Sequence, residues 1–387
     1  MATESGQAEE YRRIDALLEA RARDYPRRVE PTWSNLLDAI DGLSEQLRAS
    51  ATGGPSASRE IPSYYDSPTF VVGHRKTGTT LMLDLLDGHP ELVALPGESN
   101  HFLTFLPRFG ALPADRIAAE AQRWWMLRLI SPSGIPPFWA LGQPWELAAD
   151  PYALFSRRLI ELAAGNPERD VLGLAAAASQ AARGGSGSPR AWVEKTPGQE
   201  HEVGAILERY PAARFVQLVR DPRSVAAAIA RLDRATDQET DLVDVGLTIR
   251  RSFAAAERNV RRLGEDRYLV VRYEDLVAEP ETAMRRTAGF VGIDWADSLL
   301  TPTVGGVAAT SNSAWATRKT TGRIESGGLE LWREELDERS REVVTAATRR
   351  AARRFGYELH AAGVHARAEV TVRRTRGELG RRRPPGR

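Results

Sequence analysis

Cysteine is absent from the 387 residues of this chain, and that absence excludes several kinds of chemistry. Without a thiol the chain forms no disulfide, has no thiolate nucleophile and offers no sulfur ligand to a metal. Its six histidines do not fall at the HExxH spacing or at another common ligand spacing. We therefore predict that the chain has no metal site.

The chain also lacks a charge surplus and a long apolar run. Its 53 basic residues nearly cancel its 52 acidic ones, so overall charge gives no reason to expect a nucleic-acid partner. No window approaches the roughly 18 apolar residues of a membrane span, and the polar N-terminus does not resemble a secretory signal. These features predict a cytoplasmic protein with no transmembrane segment.

Apolar periodicity and breaker residues divide the sequence into three parts. Leucine and isoleucine recur at three- and four-residue steps between residues 10 and 49, which predicts helices that pack on the rest of the chain. A Gly/Ser/Pro stretch follows them, so we take residues 1–60 as N-terminal helices and a linker. Residues 61–360 form the main domain, and the arginine-rich residues 361–387 are expected to be a flexible, basic tail.

Four short apolar segments in the main domain are typical of buried strands, with helical patterns between or after them. This order predicts an α/β fold, with a P-loop-like parallel sheet flanked by helices and a helical insertion at about residues 100–190. In such sheets ligands bind outside the carboxyl ends of the strands, and unusual polar residues follow the segments here. The predicted strands are Thr69–Val72, Ala191–Glu194, Arg214–Val219 and Tyr268–Val271.

A glycine-bracketed loop follows the first predicted strand. It reads GHRKTGTT from Gly73 to Thr80 and leads into a helix with an apolar face. A strand, a loop of this kind and a helix N-terminus together present backbone N–H groups to an anion. In a triphosphate P-loop a lysine follows the second glycine, whereas here Thr79 follows it and Lys76 lies inside the loop.

This loop resembles the 5′-phosphosulfate loop of the sulfotransferases that use 3′-phosphoadenosine-5′-phosphosulfate (PAPS). The resemblance covers roughly residues 68–357 without the insertion and is closest in style to bacterial, protein-tyrosine and carbohydrate sulfotransferases. It implies PAPS as co-substrate, 3′-phosphoadenosine 5′-phosphate (PAP) as product and no metal. By the same resemblance the 5′-phosphosulfate is held by Arg75, Lys76, Thr77, Gly78, Thr79 and Thr80.

Arg220 ends the third predicted strand, before Asp221 as an N-cap and Pro222 in a first helical turn. An arginine at that edge suits bidentate recognition of a phosphate. In the family this position binds the 3′-phosphate together with a serine eight residues later. Here that position is Ala228, and Ser224, one turn earlier, is the substitute candidate.

The resemblance also assigns catalytic candidates. Lys195, in the Glu-Lys-Thr-Pro motif at the end of the second strand, is expected to point into the same cleft. Glu98, followed by Phe102, matches the family's general base by order, and His101 is the alternative base because some members use histidine. Lys76, Lys195 and Glu98 are thus the predicted catalytic residues.

Two later motifs complete the resemblance. Tyr273, in VRYEDL, corresponds to the tyrosine that approaches the adenine. The segment from Thr310 to Ile324 resembles the loop that closes over the cofactor, which implies phosphate contacts for Ser313 and Lys319 and a turn at Gly322.

The acceptor remains open at this level. Four tryptophans in the insertion suggest an apolar wall for an aromatic, lipid or sugar hydroxyl, and filling of a second small core is an equal alternative. The expected function is sulfuryl transfer from PAPS to a small-molecule hydroxyl. A P-loop small-molecule kinase and a non-catalytic nucleotide-binding protein are the alternatives, and homodimerisation is left open.

Overall fold

A parallel sheet of five strands forms the centre of the molecule. The computed structural model describes residues 2–25, 27–51, 60–131, 138–146, 150–184, 187–311, 321–325 and 328–381. The strand order is β2-β3-β1-β4-β5, and every neighbouring pair is parallel. Its strands are β1 (Pro68–Gly73), β2 (Leu92–Ala94), β3 (Ala191–Lys195), β4 (Arg214–Val219) and β5 (Tyr268–Arg272).

Helices cover the sheet, and a two-stranded antiparallel ribbon, β6 (Thr303–Val304) and β7 (Val307–Ala308), lies beyond β5 in the chain. The helices are α1 (Ala2–Asp24), α2 (Thr32–Ala51), α3 (Thr79–Leu86), α4 (Leu106–Phe109), α5 (Ala114–Ile130), α6 (Pro151–Gly165), α7 (Val171–Ala182), α8 (Val203–Arg209), α9 (Pro222–Ala235), α10 (Leu242–Leu263), α11 (Tyr273–Ala278), α12 (Pro280–Val291), α13 (Trp332–Glu335), α14 (Glu338–Ala352) and α15 (Val364–Arg381). Within the described ranges, no helix is both long enough and apolar enough to cross a bilayer.

The predicted parallel α/β fold is confirmed, and each predicted strand is present. β1, β3 and β5 run one or two residues further than predicted, and β4 has the predicted bounds. The edge strand β2 was missed because its three residues are too few to show a pattern. Asp221 caps α9 as predicted, since its carboxylate accepts a hydrogen bond from the Arg223 N–H.

The N-terminal helices and the insertion share one core with the sheet. Leu18 of α1 and Leu43 of α2 are fully buried in the same apolar cluster as Phe70 of β1 and Trp125 of α5. Burial of this much apolar side chain is the main source of stability for such a fold. α1 and α2 therefore pack as an integral layer of the molecule.

The C-terminal segment differs from the flexible tail that the sequence suggested. Val364–Arg381 form α15, whose Ala366 and Val370 are buried in a small cluster with residues of α10 and α14. Arg373 on this helix forms ion pairs with Asp241 and Asp244. An apolar stripe at four-residue spacing thus orders a segment whose arginines dominate its composition.

Candidate active site

A cavity of about 470 Å³ lies at the carboxyl ends of the strands. Two sets of residues line it. The first set, the sheet wall, follows the strand ends and consists of Arg75, Lys76, Gly78, Thr79, Thr80, Arg220 and Tyr273. The second set, the helix wall, comes from α1, α2 and α5 and their ends and consists of Arg21, Tyr25, Arg28, Trp33, Leu127, Arg128 and Ser131. Glu98 and Lys195 also line the cavity.

The loop after β1 is held in a conformation that needs glycine and one strained residue. Gly78 has φ +99°, and a Cβ there would lie 2.3 Å from Cδ2 of Tyr273. Lys76 adopts a left-handed φ of +68°, which is uncommon for a residue with a side chain. Since α3 begins directly after Gly78, its free N–H groups and the loop lie on the cavity.

Thr77 belongs to the loop but does not line the cavity. Its side chain is buried and its hydroxyl donates to the His74 carbonyl oxygen at 2.6 Å. The Thr77 N–H also donates to that oxygen. Thr77 thus closes the turn, while Thr79 and Thr80 lie on the cavity surface.

Arg220 ties the end of β4 to the loop. It is only 6% exposed, and its guanidinium donates to the Lys76 carbonyl oxygen at 3.3 Å and stacks on Tyr273 at 4.1 Å from the ring centre. Its buried Nε has no hydrogen-bond partner among the described residues. A buried N–H without a partner is costly, so an acceptor on a bound ligand would satisfy it.

Ser224 lies in a different environment from the one predicted. It is buried, and its hydroxyl donates to the Leu329 carbonyl oxygen at 2.8 Å. Ser224 does not line the cavity, whereas Ala228 does. Ser224 therefore does not substitute for the family serine in this structure. Its hydroxyl already donates to Leu329, and it lies one helical turn before Ala228.

Lys195 connects the loop to Glu98. Its side chain is only 3% exposed, and its ammonium donates to Thr80 Oγ1 at 3.1 Å and to Glu98 Oε1 at 3.0 Å. The Glu98 side chain is 47% exposed and opens onto the cavity. One buried ammonium group therefore touches both the helix N-terminus after the loop and the carboxylate.

The segment that carries Glu98 is fixed by hydrogen bonds to its backbone. The Arg128 Nε donates to the Glu98 carbonyl oxygen at 2.6 Å, and the Trp124 ring N–H donates to the Ser99 carbonyl oxygen at 2.7 Å. The buried Glu194 accepts from the Ser99 N–H and from Thr196 Oγ1. These contacts leave the Glu98 side chain as the part of the segment that faces the cavity.

His101 lies away from the cavity. It is 2% exposed, its Nε2 is 2.8 Å from an Asp170 carboxylate oxygen, and its ring stacks on Phe105. Burial raises the pKa of Asp170, but the charge and hydrogen bond of His101, a hydrogen bond from the Leu172 N–H and the charge of Arg209 together lower it to about 2. His101 is thus one half of a buried structural pair.

Asp84 is a cavity residue that sequence reasoning missed. It lies on α3 one turn after Thr80 and lines the cavity. Burial raises its pKa to about 8, opposed by the nearby Lys195 charge and assisted by Asp87. Its four-residue spacing from Thr80 was the available signal, because residues i and i+4 share a helix face.

The late motif is described only in part. Tyr273 lies in the sheet wall, but Ser313 and Lys319 lie outside the described residues. Gly322 has φ +66° and its N–H donates to the Ala309 carbonyl oxygen, which fits the predicted turn. Gly322 itself does not line the cavity, although Arg323 does.

The helix wall was not predicted. Its aromatic side chains on the cavity are those of Tyr25 and Trp33, and the insertion contributes Leu127, Arg128 and Ser131. The insertion's tryptophans have other roles, since Trp125 and Trp139 are buried in the core. That core is the one shared with the sheet and not a second small core. Trp124 packs against it, Trp145 is 41% exposed, and none of the four tryptophans lines the cavity.

Comparisons with known proteins bear on the family to which the chain belongs. A model of the Sulfotransferase family matches residues 68–297. The chain is 26% identical over 277 residues to the protein-tyrosine sulfotransferase of Drosophila melanogaster, covering 70% of this chain and 48% of that protein. It is also 26% identical over 234 residues to protein-tyrosine sulfotransferase A of Caenorhabditis elegans, covering 60% and 51%.

These two matches mean that the chain spans about half the length of the curated relatives. Among solved structures, the fold is similar to the sulfotransferase domain of the Synechococcus PCC 7002 olefin synthase, with a TM-score of 0.50 and 21% identity, covering 79% of this chain and 99% of that one. The family match extends over more than half of the 387 residues. This chain belongs to the sulfotransferase family.

Proposed function

We propose that the protein transfers a sulfuryl group from PAPS to a hydroxyl group of a small-molecule acceptor, with Glu98 as the general base. The observation that carries this proposal is a pair of hydrogen bonds from the Lys195 ammonium, one to Thr80 at 3.1 Å and one to Glu98 at 3.0 Å. Thr80 lies in the first turn of α3, after the anion-binding loop, and Glu98 lines the open cavity. A donor on the loop and an acceptor at Glu98 would therefore meet at one cation.

The residues of the sheet wall fit PAPS. The loop N–H groups, Thr79 and Thr80 suit the 5′-phosphosulfate, and the unsatisfied Nε of the buried Arg220 suits a phosphate oxygen. Tyr273 packs on Gly78 beneath Arg220 and offers a ring face to the adenine. When bound, PAPS supplies the activated sulfuryl group.

The chain's own groups then stabilise charge and move a proton. Lys76 and Lys195 lie where negative charge grows on the departing oxygen, and preorganised cations in a shielded site stabilise such charge. Glu98 accepts the proton of the acceptor hydroxyl at a carboxylate oxygen. Holding both reactants against Lys195 supplies the alignment that in-line transfer requires.

The position of Glu98 makes it a better candidate base than His101. It opens onto the cavity, whereas His101 is buried against Asp170. A base must reach the proton that it removes, so geometry favours the carboxylate. Action in the cytoplasm remains a prediction from the sequence, and homodimerisation remains open.

Two measurements test the proposal against its alternatives. In a thermal-shift titration PAP should stabilise the protein more than ATP with magnesium, because a ligand that binds the folded state raises its melting temperature. Mass spectrometry with PAPS should then show the gain of one SO₃ unit on a hydroxyl acceptor. Preference for ATP with magnesium would favour a kinase, and binding of PAP without transfer to any acceptor would favour a non-catalytic nucleotide-binding protein.

A further inference from the structure

The helix wall carries positive charge beyond what the proposed donor site uses. The residues that line the cavity include eight basic and three acidic side chains. In the sheet wall, Lys76 is part of the loop where the donor's phosphates are proposed to bind, and Arg220 donates to its carbonyl oxygen. Arg21, Arg28 and Arg128 belong to the helix wall.

Arg21 and Arg28 both contact one aromatic ring, that of Trp33. Their guanidinium carbons lie 4.3 Å and 4.7 Å from the centre of the Trp33 ring. Burial lowers the pKa of Arg21 to about 10, the charge of Arg28 lowers it as well, and Tyr25 acts in the opposite direction. No carboxylate is among these influences, so the two like charges repel each other beside the cavity.

The neighbouring Arg27 shows the contrast. Its guanidinium pairs with Asp237 at 3.2 Å and donates to the Ala235 carbonyl oxygen, and it does not line the cavity. Within the described part of the chain, neither Arg21 nor Arg28 has such an ion pair. Arg21 is instead held at the cavity by a hydrogen bond to Ser131 Oγ.

Contacts of α5 and of the residue after it connect this arginine pair to Glu98. Arg128 donates a hydrogen bond to the Glu98 carbonyl oxygen, and Ser131, which bonds Arg21, comes three residues later. The arginine pair and Glu98 therefore line the same cavity, where a single small acceptor could contact both. Tyr25, Trp33 and Leu127 offer apolar surface in the same wall.

We propose that the helix wall binds an anionic acceptor: a small hydroxyl compound with an aromatic or apolar body, whose distant acidic group is bound by Arg21 and Arg28. The hydroxyl faces Glu98 and the body contacts Trp33. Sulfuryl transfer to the hydroxyl rests on the proposed function, whereas binding of the acidic group by Arg21 and Arg28 does not.

The test compares one acceptor with and without its charge. The pair is 3-(4-hydroxyphenyl)propanoate and its methyl ester, measured by calorimetry in the presence of PAP and by kcat/KM with PAPS. Hydrogen bonds to charged groups contribute about 1.5–3 kcal/mol, so the wild type should favour the acid by about 10- to 100-fold. Arg28→Gln and Arg21→Gln should bring that ratio towards one. Arg23→Gln, an exposed arginine of α1 outside the cavity, is the matched control and should leave it unchanged.

Charge reversal sharpens the test. Arg28→Glu should shift the preference towards tyramine, which carries an ammonium group in place of the carboxylate. The proposal is overturned if the wild type binds the acid no more tightly than the ester, or if both glutamine variants keep the wild-type ratio. If the acid binds through the arginines but never gains SO₃ from PAPS, the proposed function fails while the anion site stands.

Discussion

The two walls of the cavity are encoded in different ways. Lys76, Thr80 and Arg220 of the sheet wall follow buried strands directly and occur in short motifs. Trp33 and Arg28 of the helix wall come from α2 and the connection before it, far along the chain from Glu98. The sheet wall depends on local backbone geometry, whereas the helix wall depends on how distant helices pack.

This difference teaches which chemistry a short motif can carry. Anion binding by a loop needs a strand end, glycines at positive φ and a helix N-terminus, all within a few residues. A surface for an acceptor needs only side chains of suitable shape and charge, from any helix that packs nearby. The first wall therefore leaves a recognisable pattern in the sequence and the second does not.

A substitution at Glu98, where the two walls meet, should distinguish the roles of the walls most clearly. Glu98→Gln keeps the side-chain shape but removes the proton acceptor, so turnover should fall by about 10²–10⁴. The affinity for PAP should stay near that of the wild type, because the sheet wall is intact. Steady-state kinetics and calorimetry with PAP measure the two effects. Glu265→Gln, an exposed glutamate outside the cavity, is the control, and equal loss of binding and turnover would assign Glu98 a structural role.

A change in the sheet wall should affect the donor and leave the acceptor alone. Arg220→Gln removes a buried cation from the proposed phosphate site, and PAP affinity should fall by about 10- to 100-fold, the value of one or two charge-assisted hydrogen bonds. The acceptor KM at saturating PAPS should not change. Arg262→Gln, at an exposed site on α10, controls for the loss of a positive charge. If the acceptor KM rose together with the loss of PAP affinity, the two walls would not act separately.

The smallest expected effect concerns Asp84. Its pKa is about 8 in the folded protein against a usual value of 3.8, so the folded state keeps a proton that the unfolded state loses between those values. The free energy of unfolding should therefore fall as pH rises from about 4 to about 8. In Asp84→Asn the difference in melting temperature between pH 5 and pH 8 should be smaller than in the wild type. An unchanged pH difference, with Asp266→Asn as the exposed control, would contradict the assignment.

Sequence reasoning reached the sheet and most of the sheet wall, for physical reasons. Runs such as Arg214–Val219 are buried on both faces and read as strands, so the residues at their ends were also found. Ser224 was misplaced because the hydrogen bond to Leu329 forms across the tertiary structure and leaves no mark near the serine. The helix wall was missed for the same reason, since nothing near Trp33 indicates that α2 approaches α5.

The contact between Gly78 and Tyr273 makes two distant positions interdependent. A Cβ at residue 78 would overlap the tyrosine ring, and the ring in turn supports Arg220. Because φ of Gly78 is +99°, a related chain with a larger residue at that position should have both a different loop backbone and a smaller residue at the position of Tyr273. In such a chain other contacts would have to support the arginine at the position of Arg220. The three positions are therefore expected to covary in evolution.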